Sequence, residues 1–294
     1  MSDYIIATSS TADLPKEYLE EHHVPVISYT FTLDGQVYVD DCTEETKKLL
    51  FKAMREGQMP NTSQISEYAY YEFFKGLLEQ GKDIIFTDMS RAISNSIVNA
   101  ESAIEEVCRE FPERRIHFID SYCITAGLNL LVRQLVNRKE AGATFEEVAA
   151  WGEEHKKEFI HRFMVDDLQW LRRGGRLSNA SAIVGSLLSI KPLLYVCNDG
   201  KLIAFNKIRG RKRCLHELIL SCKDDLADCY TGDDITVIEA DDYEDAVKFR
   251  QDLKDTYPQL KDVDIPIMTL GPVIAAHVGP GFIAVAYHGK KRIL

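Results

Sequence analysis

Residues 83–121, DIIFTDMSRAISNSIVNAESAIEEVCREFPERRIHFIDS, decide the fold class of this chain. Ile84, Ile85 and Phe86 form a short apolar run, and the chain leaves it through a polar loop holding Ser90, Ser94 and Ser96. A helix is predicted from that loop to about residue 110, and a second apolar strand over 115–121 again ends on polar residues. Strand, loop, helix and strand in this order make a parallel crossover, because parallel neighbours need a long connection and a helix supplies it. Working outward, Tyr4-Ile5-Ile6-Ala7 is another short strand, followed by the loop Thr8-Ser9-Ser10-Thr11-Ala12-Asp13-Leu14-Pro15 and a helix near 16–22. A mostly apolar helix over 126–138 completes the alternation, which predicts a parallel sheet covered by helices. The polar carboxyl ends of its strands are where open α/β sheets take ligands.

The segment 24–32 is predicted as one strand, turned at Leu33-Asp34-Gly35-Gln36, with a helix over 44–56 whose buried stripe is Leu49, Leu50, Ala53 and Met54. Ser66 is the predicted cap of the next helix, with Ala69, Phe73 and Leu77 flanked by Tyr70, Phe74 and Leu78 as its apolar face. The helix over 145–158 closes an N-terminal α/β domain, 1–158. The rest, 159–294, is predicted as an α+β domain with a mixed sheet.

That second domain opens on FMVDDLQWLRRGGRLSNASAIVGSLLSIKPLLYV, residues 163–196. Asp166 and Asp167 begin a helix, Arg172 and Arg173 sit in its last turn and Gly174 stops it. Ser178 is the predicted cap of a second helix carrying Ile183, Val184, Leu187 and Leu188 at helical spacing, which Lys191-Pro192 ends. Its other faces hold only small residues, among them Ala180, Ala182 and Gly185, so another backbone or a long thin ligand can approach it closely. Asn198-Asp199-Gly200-Lys201 signals a hairpin between strands over 193–197 and 202–205. A helix over 212–227, a strand over 235–240, a helix over 243–257 and an edge strand over 264–269 follow. The segment 275–281, which contains His277, is predicted as a turn before a fully buried strand over 282–287.

With 294 residues and a net charge of −11, the chain exceeds one average domain and lacks the basic balance of a nucleic-acid binder. No apolar run is long enough to span a bilayer and the N-terminus lacks the features of a secretory leader, so the protein is read as cytoplasmic. The seven cysteines, at 42, 108, 123, 197, 214, 222 and 229, show no metal-ligand spacing and are expected as reduced thiols. Phosphate-loop, dinucleotide-fold, zinc-protease and nucleophile-elbow motifs are absent, so neither a metal nor a cofactor is predicted. Three hydroxyl clusters remain, each ahead of a helix: Thr8 to Thr11, Thr62 to Ser66, and Ser94 with Ser96. Such hydroxyls cap helices, and together with free helix N–H groups they can also hold a carboxylate or phosphate. His277 is a titratable donor able to face the same cleft. Lys207, Arg209, Arg211, Lys212 and Arg213, with Arg172, Arg173 and Arg176, are basic anomalies in an acidic chain and suggest a docking surface for an acidic or phosphate-carrying partner.

Six ordered blocks carry a family resemblance: Ser10-Thr11-Ala12-Asp13-Leu14-Pro15, Asn61-Thr62-Ser63-Gln64, Ile93-Ser94-Asn95-Ser96, Gly174-Gly175-Arg176-Leu177-Ser178, Ile190-Lys191-Pro192-Leu193-Leu194 and His277-Val278-Gly279-Pro280-Gly281. In these the chain resembles the DegV family of bacterial fatty acid binding proteins. The resemblance implies a two-domain fold with one long-chain, palmitate-like fatty acid between the domains. It implies a carboxylate held at Thr62, Ser94, Asn95 and His277, with Ser10, Ser63 and Arg176 in support. It also implies a carrier without catalytic residues, which presents its ligand to a separate fatty acid kinase for acyl-phosphate formation on the way to phospholipid synthesis. Arg209 matches a family basic position, and Arg172, Arg173, Arg209 and Arg211 are the candidate partner surface, with transient contact to a membrane surface also envisaged. Ile27, Phe31, Ile183 and Gly185 are the candidate acyl-tunnel wall. Alternatives from another class are an acyl-ester hydrolase and a phosphotransferase subunit.

The chain departs from the family pattern at Ser9, where Asp is usual, at Ile65 for Pro, and at Asn95 and Ser96 for Gly and Thr. A glycine at position 95 would open backbone angles closed to other residues, so Asn95 is expected to sit in a turn that tolerates positive φ.

Overall fold

The protein was analysed as a computed structural model, which describes residues 4–176, 190–224, 226, 235–289 and 292. The first predicted crossover is present: β1 (Tyr4–Ser9), β6 (Asp83–Asp88) and β7 (Ile116–Asp120) lie side by side and parallel, with β2 (Val26–Ile27) on the outer edge of β1. Between β6 and β7 runs α4 (Ser96–Glu110), and after β7 comes α5 (Thr125–Glu140). Every residue of β1 and β6 is buried, as expected for parallel strands covered on both faces. Both strands deliver their carboxyl ends, Ser9 and Asp88, to the same edge of the sheet.

The segment predicted as one strand over 24–32 is two. After β2 the chain changes sheet, and β3 (Thr30–Leu33) pairs antiparallel with β4 (Gln36–Val39) and with β5 (Asn61–Ser63) in a separate three-stranded sheet. Alternation of apolar residues runs through both pieces, so the break has no local signal. The helices α2 (Glu44–Arg55) and α3 (Glu67–Leu78) start where expected. Ser66 Oγ accepts from the Ala69 N–H at 3.2 Å, but burial falls on Tyr70, Phe74, Leu77 and Leu78, leaving Ala69 exposed.

A new sheet begins directly after α6 (Phe145–His155). Its six strands run in the order β10 (Leu202–Arg209), β9 (Ile190–Val196), β8 (Phe159–Met164), β13 (Ile283–His288), β11 (Ile235–Glu239) and β12 (Ile267–Thr269). All neighbours are antiparallel except β11 and β12, so the sheet is mixed and β12 is an edge strand. Alternation sends the two faces into different cores. Phe159, Phe163, Ala284 and Ala286 join a core continuous with the parallel sheet, whereas Ile160, Met164, Ile283 and Val285 pack under the helices Arg211–Ser221 and Tyr243–Thr256. The fold class is thus α/β, a parallel sheet with flanking helices and a second, mixed sheet.

Two expectations change here. The segment predicted as a turn over 275–281 is largely the helix Pro272–Val278, with Gly271 as N-cap and proline at its first position, where a missing N–H costs nothing. The predicted small-residue helix, with Ile183 and Gly185, lies outside the described residues.

Candidate functional site

Three pieces of chain far apart in sequence converge beyond the strand ends. Thr62 is the central residue of β5, opposite the fully buried Phe31. His277 occupies the last turn of Pro272–Val278, and its Nε2 lies 2.8 Å from Thr62 Oγ1. Burial, followed by the nearby Arg176 guanidinium, pushes the His277 pKa down to about 4, so the ring is neutral at pH 7. Its Nδ1 is enclosed without a hydrogen-bond partner among the described residues. When Nε2–H donates to Thr62, the Thr62 hydroxyl hydrogen is free to donate to a bound acceptor.

Ser94 supplies the second hydroxyl. It is buried in the turn leading into α4; its Oγ accepts from the Ser96 N–H at 3.2 Å, and its hydrogen, turned toward the Tyr29 phenol, can rotate to a bound acceptor. The site therefore faces the positive end of α4 with hydroxyl donors in front of it, an arrangement that suits an anion. Asn95 is the N-cap at φ −78°, an ordinary helical angle, so the positive φ expected there is not used. This explains why asparagine is accepted in place of glycine: the backbone conformation does not demand one. Its side chain is exposed and lines a polar cavity outside the Thr62–Ser94 pocket.

Beneath this pair sits a buried polar hub that sequence reading missed. Asp88, fully buried at the end of β6, accepts from Ser9 Oγ at 2.5 Å, Met89 N–H at 2.6 Å, Tyr70 OH at 2.7 Å and Tyr29 OH at 3.2 Å. Burial is the first cause raising its pKa, opposed by these donors. Tyr29 forms part of the pocket wall, and the Ser94 and Ser96 hydroxyls hydrogen-bond toward its phenol, so the hub fixes the floor of the site. The Ser9 departure also has its reason here. A hydroxyl at that position donates to Asp88, where an aspartate would set two carboxylates against each other.

Gly174 closes the other side. A Cβ at that residue would stand 2.1 Å from His277 Nδ1, so only glycine lets the ring lie against the end of α7 (Leu168–Arg173). Gly174→Ala is expected to displace the imidazole from Thr62, seen as a shifted His277 ring signal in NMR, and to lower stability by about 1–3 kcal/mol. An unmoved ring signal would show that the contact does not matter.

Two cavities meet at this point. The first, about 190 Å³, is lined by Thr62, Ser63, Ser94, Arg176 and His277 together with apolar residues. The second, narrower and about 30 Å³, runs between the sheets past Phe163, Ile238, Phe282, Ala284 and Ala286. Ile124, Leu202, Ile274 and Val278 border both, so the polar end and the apolar slot are direct neighbours with a shared apolar wall. Neither Ile27 nor Phe31 borders them: both are buried in the core beside β1 and β5, and the described lining of the slot comes from the loop before α5, the inner face of the mixed sheet and the helix Pro272–Val278. Sequence alternation in 282–287 held the signal for the alanines, but nothing local said what they faced.

The remaining candidates separate by environment. Ser10 is buried, and its Oγ accepts from the Tyr29 N–H at 3.1 Å, so it braces the site without lining it. Arg176 reaches the Ile93 and Gly174 carbonyls at 3.3 and 2.6 Å and borders the mouth. Arg172, Arg173 and Arg209 are exposed, with Arg173 Nη1 3.4 Å from Met59 Sδ. Arg211 corrects the expectation of a free partner surface. It is ion-paired with Asp166, Asp242 and Asp245 and donates to the Gly281 carbonyl at 2.6 Å, tying α7, the helix Tyr243–Thr256 and β13 together.

Fold and site together define an α/β protein with a small hydroxyl-lined pocket beside an apolar slot. The family model described as uncharacterised protein, DegV family, matches residues 4–290, and the chain belongs to the DegV family. A DegV domain-containing protein of Clostridium perfringens is 34% identical over 293 residues, covering 99% of both chains, and one of Streptococcus pyogenes is 33% identical over 289 residues, 98% of this chain and 99% of the relative. Among solved structures, the fatty acid binding DegV family protein of Streptococcus agalactiae superposes with a TM-score of 0.85 at 28% identity, over 99% of this chain and 100% of that one. A DegV family protein of Thermus thermophilus, described for fatty acid binding, gives 0.82 at 30% identity over 97% and 99%.

Proposed function

We propose that this protein binds one long-chain fatty acid, with its carboxylate at Thr62 and Ser94 and its chain in the slot toward Ala284 and Ala286. The observation that carries this reading is the adjacency of the hydroxyl-lined pocket and the apolar slot, which share Ile124, Leu202, Ile274 and Val278 as a wall. The solved relatives described as fatty acid binding support it. The energetics agree in scale. Burying an acyl chain gains about 0.8 kcal/mol per methylene, and the carboxylate loses several kcal/mol of hydration unless hydrogen bonds replace water. The Thr62 and Ser94 hydroxyls and the α4 N–H groups are that replacement, and neutral His277 orients Thr62.

In this reading the two sheets mark the domains 1–158 and 159–294, the ligand lies between them, and the protein is a cytoplasmic carrier rather than a catalyst. It presents the carboxylate to a fatty acid kinase, with Arg172, Arg173 and Arg209 as the partner surface. A hydrolase finds less support: the His277 Nε2 that would serve as base is hydrogen-bonded to Thr62, not to a serine. Mass spectrometry of the organic extract, run beside a native mass spectrum, tests the binding. A stoichiometric fatty acid is expected, and a protein that neither carries nor takes up fatty acids would refute it. The carrier role predicts ATP-dependent acyl phosphate with a fatty acid kinase only when this protein is added. Ala284→Leu narrows the slot and is expected to shift preference to chains shorter by about two to four carbons, given a leucine's extra volume; unchanged chain selectivity would place the acyl chain elsewhere.

A further inference from the structure

His161 is a polar group set into the apolar slot. It stands on β8 between Phe159 and Phe163, on the strand face turned to the inter-sheet core, and its cross-strand neighbour is the small Ala286. The ring forms part of the slot wall and is 4% exposed. Helix α5 makes room for it: a Cβ at Gly127 would stand 1.8 Å from Nε2. The ring is pinned there, with Nε2 3.0 Å from the Ile124 carbonyl oxygen.

This contact settles the tautomer. A carbonyl oxygen can only accept, so Nε2 carries the proton and donates. Burial, followed by the Arg292 guanidinium, pushes the His161 pKa down to about 3, so the ring is neutral at pH 7 and Nδ1 is a bare lone pair. That Nδ1 is enclosed and makes no full hydrogen bond among the described residues; the Phe159 carbonyl near the ring already accepts from Arg292 Nε at 2.9 Å. A buried acceptor left unpaired is costly, and phenylalanine or leucine would fill an all-hydrocarbon slot without that cost.

We infer that His161 gives the acyl slot a polar subsite, and that the ligand class it selects is a fatty acid carrying a hydroxyl on its chain, the O–H donating to His161 Nδ1. An O–H is required because the vacant position accepts and does not donate. A double bond, a branch or a ketone offers no such hydrogen. The inference rests on the fatty acid reading above and deepens it.

The test is a competition on delipidated full-length protein between palmitic acid and a series of hydroxypalmitic acids that differ only in the position of the hydroxyl. One positional isomer is expected to bind about tenfold or more tighter than its neighbours in the series, the scale of one satisfied buried acceptor. In ¹⁵N-histidine spectra that isomer, and not palmitic acid, moves the His161 Nδ1 signal. His161→Phe is expected to erase the preference while still binding palmitic acid. If palmitic acid binds but every hydroxylated isomer binds more weakly, with no position favoured and no Nδ1 shift, His161 is only a core residue and the inference fails. If neither palmitic acid nor any isomer binds, the fatty acid reading itself fails. The wild-type competition and spectra decide between these results even where His161→Phe does not fold.

Discussion

Thr62→Ala combined with Ser94→Ala is expected to weaken fatty acid binding by about 100-fold or more while the protein stays folded. Each hydroxyl is placed to donate to a carboxylate, and a hydrogen bond to a charged group contributes about 1.5–3 kcal/mol, so two losses exceed two decades even when they are not additive. Each substitution carries a modest stability cost. Thr62 loses its 2.8 Å contact with His277 at a half-buried position, whereas Ser94→Ala leaves the Ser96 N–H without its 3.2 Å acceptor at the start of α4. A loss of about 1 kcal/mol is the scale of a missing cap. Isothermal titration with palmitate beside thermal unfolding separates the two effects. Full-strength binding by the double variant would remove both hydroxyls from the headgroup site.

Asp13→Asn is expected to raise stability at pH 8 by several kcal/mol and to flatten the pH dependence of unfolding between about pH 4 and pH 8. Asp13 lies at φ 51° after the turn Ser10–Ala12; the Gly271 N–H approaches its carboxylate, whose oxygens make no full hydrogen bond among the described residues. Burial, then the Asp40 carboxylate, pushes its pKa up to about 8, with Lys47 opposing. Asp40 is raised to about 6 by its own burial. The sign follows from proton counting. Between the ordinary aspartate value and about pH 8 the unfolded chain has released the Asp13 proton and the folded chain keeps it. Folding therefore takes up a proton, and stability falls as pH rises through that window. Asparagine carries no proton to lose and tolerates the left-handed backbone. Melting temperatures from pH 4 to pH 8 decide the matter. Parallel curves for the two proteins would mean that Asp13 ionises as freely folded as unfolded.

The position of Asp13 brings that proton close to the helix that carries His277. A Cβ on Gly271 would stand 2.1 Å from Asp13 Oδ1, so the carboxyl packs against the N-cap of the helix that carries His277 at its far end. The block Ser10-Thr11-Ala12-Asp13-Leu14-Pro15 was legible in the sequence as a loop after a strand. That its aspartate is buried against residue 271 was not.

The same division holds across the molecule. Local chemistry alone determined the elements and their order: the apolar runs of β1, β6 and β7, the Ser66 cap, the Asn198–Lys201 hairpin and the proline-bearing edge segment that became β12. Each of these depends on the spacing of side chains a few residues apart, which the chain carries wherever it goes. The family blocks drew attention to Thr62, Ser94 and His277 by resemblance, and the fold brings Thr62 and His277 to 2.8 Å across 215 residues. Only the tertiary structure decided that 24–32 is shared between two sheets, that His277 sits on a helix, that Arg211 is held by three aspartates, and that Ile124, Leu202, Ala284 and Ala286 border the slot. Burial and pairing across such separations depend on which surfaces meet, and no local pattern of apolar or charged residues records its distant partner.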